Sequence, residues 1–112
     1  WDAVREKFGV HAFTWLDQLE SGAIPNAENV TTYRQRVGDS LQQILSPNAG
    51  KSIAVFCHGG VIRMMLSILL KMPLPKTDAF QVEYTSLTEV SIDPERTRIE
   101  LLNFTPWRDW KP

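Results

Sequence analysis

The sequence has only one cysteine, Cys57, and no cluster of cysteine and histidine residues. A single cysteine excludes an internal disulfide framework, and without such a cluster no zinc-type site is predicted. We therefore expect a protein of the reducing cytoplasm that uses no metal and no cofactor.

An excess of charge of either sign is also missing. Twelve lysine and arginine residues stand against thirteen aspartate and glutamate residues, which gives a net charge of −1. This balance argues against nucleic acid or a membrane surface as the main partner. The longest apolar stretch, residues 61–72, is interrupted by Arg63 and Lys71 and is too short to span a bilayer. One domain that acts on a small diffusible substrate fits this composition better.

The chain is organised around an apolar run that is interrupted by a His-Gly-Gly turn at residues 58–60. Residues 52–57 predict a buried strand, because β-branched and aromatic side chains follow one another, and residues 61–66 predict a buried helix. Glycine lets the backbone turn tightly and approach a ligand, and the start of a helix attracts anions. In open α/β sheets, ligands bind at the carboxyl ends of strands. The pattern favours a phosphate site, although similar joints in many α/β domains bind nothing.

The remaining segments complete an α/β pattern. The apolar spacing of residues 2–20 predicts two short helices or one broken helix, and residues 30–44 predict an amphipathic helix that Asn26 or Asn29 can cap. Alternating residues in 81–92 and 97–104, joined by a turn at 93–96, predict an antiparallel hairpin.

In this order the segments resemble the histidine phosphatase (phosphoglycerate mutase-like) superfamily. Residues 55–63, Val-Phe-Cys-His-Gly-Gly-Val-Ile-Arg, are similar to the family's second histidine motif and the helix after it. Glu28, eight residues before Arg36, is similar to the family's Gly-Glu-Ser segment with its downstream arginine. Residues 1–8 resemble the helix after its Trp-Glu-Gly turn, and residues 84–90 and 102–103 resemble its last two strands.

The resemblance implies a three-layer α/β/α fold whose mostly parallel sheet ends in the antiparallel hairpin. The Arg-His-Gly motif that carries the family's nucleophile does not occur in these residues, and His11 lacks both neighbours of that motif. We therefore expect residues 1–112 to be the C-terminal portion of one phosphoglycerate mutase-like domain, incomplete because its N-terminal strands are missing. A second chain or the missing N-terminal half is expected to cover the open edge at residues 52–57.

The resemblance also implies a two-step phosphoryl transfer, in which a histidine attacks phosphorus and water or an alcohol then takes the group. His58 and the N–H of Gly59 would bind the phosphoryl oxygens of a small phosphorylated metabolite. Glu28 would be the general acid that protonates the leaving oxygen, a task that favours a raised pKa. Mutase and phosphatase activities both fit, and the isolated chain is expected to turn over phosphomonoesters poorly or not at all.

Two alternatives belong to other classes. Cys57 and Arg63 have the Cys-x5-Arg spacing of cysteine-dependent phosphatases, which need a low-pKa thiolate and an arginine clamp. In the resemblance Cys57 is instead a buried residue at the end of a strand. The other alternative is a non-catalytic half-domain that only binds phosphate-bearing ligands or a partner.

Overall fold

The computed structural model describes residues 1–12 and 14–112 and contains both helices and strands, so it confirms the predicted mixed α/β composition. Within these residues, every helix is too short or too polar to cross a membrane. The elements are α1 (Asp2–Phe8), α2 (Trp15–Glu20), α3 (Val30–Leu45), α4 (Gly59–Leu69), β1 (Leu87–Ile92), β2 (Thr97–Phe104) and α5 (Pro106–Asp109), with 3₁₀ helices at Ser46–Asn48 and Leu74–Ala79.

Helix α3 begins at one of the two caps that the sequence offers. The side-chain oxygen of Asn29 accepts a hydrogen bond of 2.8 Å from the backbone N–H of Thr31, which satisfies one of the free amides of the first turn. Val37 and Leu41 of the predicted apolar stripe are buried. The predicted amphipathic helix is therefore confirmed, with Asn29 as its cap.

The hydrophobic core lies between α2, α3, α4 and the second 3₁₀ helix. Met64 of α4 and Leu74 of the 3₁₀ helix are fully buried at its centre. Their buried neighbours come from the two helices on either side: Leu16, Leu19 and Val37. This packing fixes α4 against α3 and so determines where the His-Gly-Gly turn lies.

The predicted hairpin is confirmed at β1 and β2, which pair antiparallel with Val90 opposite Ile99. The turn at 93–96 is closed by two backbone hydrogen bonds between Asp93 and Arg96, of 2.9 and 3.2 Å. The first strand was predicted too long, because residues 81–86 lie outside it. A backbone turn at 84–85, with Thr85 at φ 56°, ends the alternation there.

The prediction of a buried strand at residues 52–57 is wrong for this structure. All six residues are exposed and outside regular secondary structure, and Phe56 is 97% exposed. Cys57, predicted to be buried, is exposed as well. A strand needs a neighbour for its backbone groups, and in the described part of the chain the sheet consists of β1 and β2 alone. The predicted parallel, three-layer arrangement is therefore not formed by these residues.

Candidate active site

His58 lies directly before α4 as its N-cap, with an extended backbone (φ −94°, ψ 157°). Its carbonyl oxygen accepts the first helical hydrogen bond, 3.0 Å from the N–H of Ile62. The amides of residues 59–61 therefore have no partner within the helix. The imidazole is exposed and makes no capping bond, so its ring nitrogens are not used by the helix start beside it.

Gly59 and Gly60, predicted as part of a turn, are instead the first two residues of α4, and they sit close to other parts of the fold. A Cβ atom at Gly60 would lie 3.5 Å from the hydroxyl oxygen of Tyr33 and 3.5 Å from the Trp15 ring. A Cβ atom at Gly59 would lie 3.8 Å from a methyl group of Val82. The start of α4 thus has α2 and α3 on one side and the segment before β1 on another.

Tyr33 connects this turn to Glu28. The guanidinium of Arg36 lies 5.3 Å from the centre of the Tyr33 ring, and it also binds the carboxylate of Glu28. Burial raises the pKa of Tyr33, and the nearby charges of Arg36, Glu28 and Cys57 act on it in addition. Tyr33 therefore lies within electrostatic reach of both the acid before α3 and the residue before His58.

Glu28 is held by two hydrogen bonds from Arg36, Nε to Oε1 at 3.0 Å and Nη2 to Oε2 at 2.8 Å. These bonds lower the pKa of Glu28 from its ordinary value. The raised pKa expected of a general acid is thus not found in this structure. The Glu28 side chain is 35% exposed, and water therefore has access to the pair.

The two residues of the alternative phosphatase motif do not form a thiolate–guanidinium pair. Although Cys57 is exposed, the protein atoms around its thiol displace part of the water and so raise the thiol pKa, whereas a nucleophilic cysteine needs a lowered one. Arg63 points its guanidinium to the backbone carbonyl of Thr77, to which it donates a hydrogen bond. Both observations weigh against Cys57 as a nucleophile.

No three histidine, cysteine, aspartate or glutamate side chains come together as metal ligands within residues 1–12 and 14–112. The polar groups at residues 58–60 are one imidazole and backbone amides. The Tyr33 hydroxyl lies close to Gly60, and the Glu28–Arg36 pair is connected to this point through the Tyr33 ring. These groups can bind an anion and exchange a proton.

Tyr33 is the residue at this site that the sequence does not reveal. In the spacing of α3 it is one more member of the apolar stripe, between Val30 and Val37. The one signal in the sequence is a polar hydroxyl on a helix surface that faces the core. That this hydroxyl lies near Gly60 depends on how α3 packs against α4.

A comparison with protein-family models matches residues 1–105 to the histidine phosphatase superfamily (branch 1). Searches among curated proteins and among solved structures returned no match. The family match covers the turn at 58–60, the acid before α3 and the hairpin together.

Proposed function

Because the chain belongs to the histidine phosphatase superfamily, we propose that it forms the phosphate-binding part of a phosphomonoester phosphatase or phosphoglycerate mutase-like enzyme that works through a phosphohistidine. The observation that carries the proposal is the exposed imidazole of His58 beside the free amides at the start of α4. A helix start favours a phosphate group through its partial positive charge and its N–H donors.

In this proposal His58 and the amide of Gly59 bind the non-bridging phosphoryl oxygens. The imidazole N–H of His58 and the backbone N–H of Gly59 are the two donors. Donors that are already oriented in the ground state stabilise the charge that grows on these oxygens during transfer.

The attacking group is a histidine outside these 112 residues. Its ring nitrogen forms a bond to phosphorus while the phosphorus–oxygen bond to the alcohol breaks, and the alcohol oxygen takes a proton from Glu28. In the second step water loses a proton to the Glu28 carboxylate and attacks phosphorus. The phosphorus–nitrogen bond then breaks and inorganic phosphate leaves. In a mutase a second alcohol takes the place of water.

The pair between Glu28 and Arg36 fits this cycle if the substrate loosens it. A phosphate dianion that enters near α4 attracts Arg36 and weakens its hold on Glu28. The pKa of Glu28 then rises, which makes the carboxyl group a better proton donor. Arg36 would thus couple substrate binding to the protonation of the acid.

The exposed segment at residues 52–57 needs a covering element in the working enzyme. We propose a neighbouring strand from the missing N-terminal half or from a second chain, because Phe56 and its apolar neighbours Ile53 and Val55 face solvent. Sedimentation of the chain with and without the missing half measures whether the chain associates with that half or with a second copy. Phe56→Asp should weaken the association. The proposal is wrong if the segment stays exposed to solvent exchange in the active protein.

The test of the binding role uses inorganic phosphate and the two histidines of the chain. Calorimetry should show that phosphate binds the unaltered chain and the His11→Ala variant and that His58→Ala abolishes binding. His11 is the matched control because it is exposed too. Equal binding by His58→Ala would contradict the assignment.

Turnover distinguishes the remaining possibilities. The chain alone should hydrolyse phenyl phosphate slowly or not at all. The chain joined to its missing half should hydrolyse it, and Cys57→Ser in that joined protein should be as active as the unaltered one. Loss of activity in Cys57→Ser but not in His58→Ala would select the cysteine mechanism. Phosphate binding without turnover in the complete protein would select a non-catalytic binding domain.

A further inference from the structure

A groove of about 490 Å³ opens next to the start of α4 and is lined by Val82, Glu83, Tyr84 and Trp107. We call it the aromatic groove. Val82 connects it to the proposed phosphate position, because a methyl group of this residue lies 3.8 Å from where a Cβ atom at Gly59 would be. The groove therefore adjoins the proposed phosphate position on the side of Val82.

The two aromatic side chains of the groove are open to solvent, Tyr84 at 95% and Trp107 at 61%. Neither belongs to the buried core cluster. Aromatic rings prefer offset-stacked or edge-to-face contacts with another ring. Two such surfaces on one groove favour a flat aromatic occupant.

Tyr84 stands on a turn that is fixed at several points. The N–H and the hydroxyl of Ser86 both donate to the carbonyl oxygen of Glu83, at 3.3 and 2.7 Å. The N–H of Glu83 donates to the side-chain oxygen of Asn103 at 2.8 Å. Thr85 has φ 56°, an uncommon conformation for a β-branched residue. Backbone strain of this kind is often kept where a side chain must be presented to a ligand.

Arg108 pairs with the one carboxylate that lines the groove and fixes the two sides of the groove to each other. Its guanidinium donates to the carboxylate of Glu83 at 2.8 Å and to the carboxylate of Asp109 at 2.6 Å. It also donates to the backbone carbonyl of Asn103 at 3.3 Å. With Glu83 paired in this way, the groove offers a cation no free carboxylate, so an uncharged ring suits it better.

We propose that the aromatic groove binds an uncharged aromatic ring in the alcohol part of a phosphomonoester whose phosphate lies at the start of α4. This assignment rests on the proposed function for the position of the phosphate. The groove then determines specificity, because aryl esters gain stacking contacts that aliphatic esters lack.

The test measures binding of phenyl phosphate, glycerol phosphate and inorganic phosphate to the whole chain by calorimetry. Phenyl phosphate should bind roughly two- to tenfold more tightly than glycerol phosphate, the range that one stacking contact provides. Trp107→Ala and Tyr84→Ala should each reduce this preference, and Trp107→Phe, which keeps a ring, should retain most of it.

Trp110→Ala is the matched control, because Trp110 is 65% exposed and close in sequence to Trp107 but does not line the groove. It should leave the preference unchanged. All four of these variants at Tyr84, Trp107 and Trp110 should bind inorganic phosphate like the unaltered chain, which shows that they fold and that the phosphate position is intact.

The outcomes separate the two proposals. Equal affinity for phenyl phosphate and glycerol phosphate, with phosphate binding still lost in His58→Ala, overturns the aromatic groove and leaves the proposed function standing. Phenyl phosphate affinity that depends on Trp107 but is as high in His58→Ala as in the unaltered chain overturns the phosphate site instead. If no phosphate ester binds the chain, both proposals are wrong.

Discussion

The carboxylate of Glu28 and the guanidinium of Arg36 form a two-point ion pair across eight residues, with nitrogen–oxygen distances of 3.0 and 2.8 Å. Glu28 precedes α3 and Arg36 lies within it, about two helical turns further along. The pair holds the proposed acid in one orientation, and it keeps that acid ionised until the pair loosens.

Replacing Arg36 should therefore raise the pKa of Glu28. The pair stabilises the fold above the ordinary pKa of a glutamate, and this contribution is lost as the pH falls through the lowered pKa of folded Glu28. In Arg36→Gln the free energy of unfolding should therefore fall less as the pH is lowered through this range. Carboxyl titration by NMR measures the pKa, with Arg34→Gln as the control, since Arg34 bonds Ser67 instead. An unchanged pKa in Arg36→Gln would contradict the ion pair.

The thiol of Cys57 should react slowly despite its exposure. Its raised pKa leaves little thiolate at neutral pH, and the thiolate is the reactive form. The rate of alkylation by iodoacetamide should rise with pH through a midpoint above that of the urea-unfolded chain, which serves as the reference. A midpoint below that reference would show a lowered thiol pKa and would support the cysteine mechanism.

Truncation of Met64 should destabilise the chain strongly. Met64 is completely buried between α3, α4 and the second 3₁₀ helix, so Met64→Ala leaves a cavity and should cost about 2–5 kcal/mol of unfolding free energy. Phe56→Ala removes a larger side chain that is 97% exposed and should change stability by less than about 0.5 kcal/mol. Urea denaturation measures both, and similar losses would show that the core is placed wrongly.

Gly38 in the middle of α3 is a position where alanine should stabilise the fold. A Cβ atom there would lie 3.8 Å from the side chain of Ile68, an ordinary contact, and helix propensity favours alanine by about 0.8–1 kcal/mol. Gly22→Ala should destabilise instead, because Gly22 has φ +71°. The two melting temperatures should therefore move in opposite directions.

The elements that could be predicted from the sequence are those whose signals are local. Helix α3 has both its cap, Asn29, and a regular apolar stripe, and the hairpin has alternating strands around the turn at 93–96. Helix α4 is present as the apolar run at 61–66 predicts, but it begins two residues earlier, at Gly59. The Glu28–Arg36 spacing was visible too, although the sequence did not show that the two side chains bind each other.

What could not be predicted depends on neighbours distant in sequence. Residues 52–57 have the composition of a buried strand, but burial requires strands on both sides, and composition cannot show whether they are present. The turn before β1 places Thr85 at positive φ, which the sequence does not signal, because asparagine or glycine is the usual residue there. The groove at Tyr84 and Trp107 lies where Arg108 of α5 binds Glu83, a contact between residues that are distant in sequence.

The exposure of residues 52–57 makes this segment a target for limited proteolysis. Proteases cut where a solvent-exposed chain free of regular structure can enter their active site, and chymotrypsin cleaves after aromatic residues such as Phe56. A single early cut there would separate α1–α3 from α4 and the hairpin, and resistance would appear only when another polypeptide shields the segment. The rate of that one cleavage therefore reports directly whether another polypeptide covers the segment.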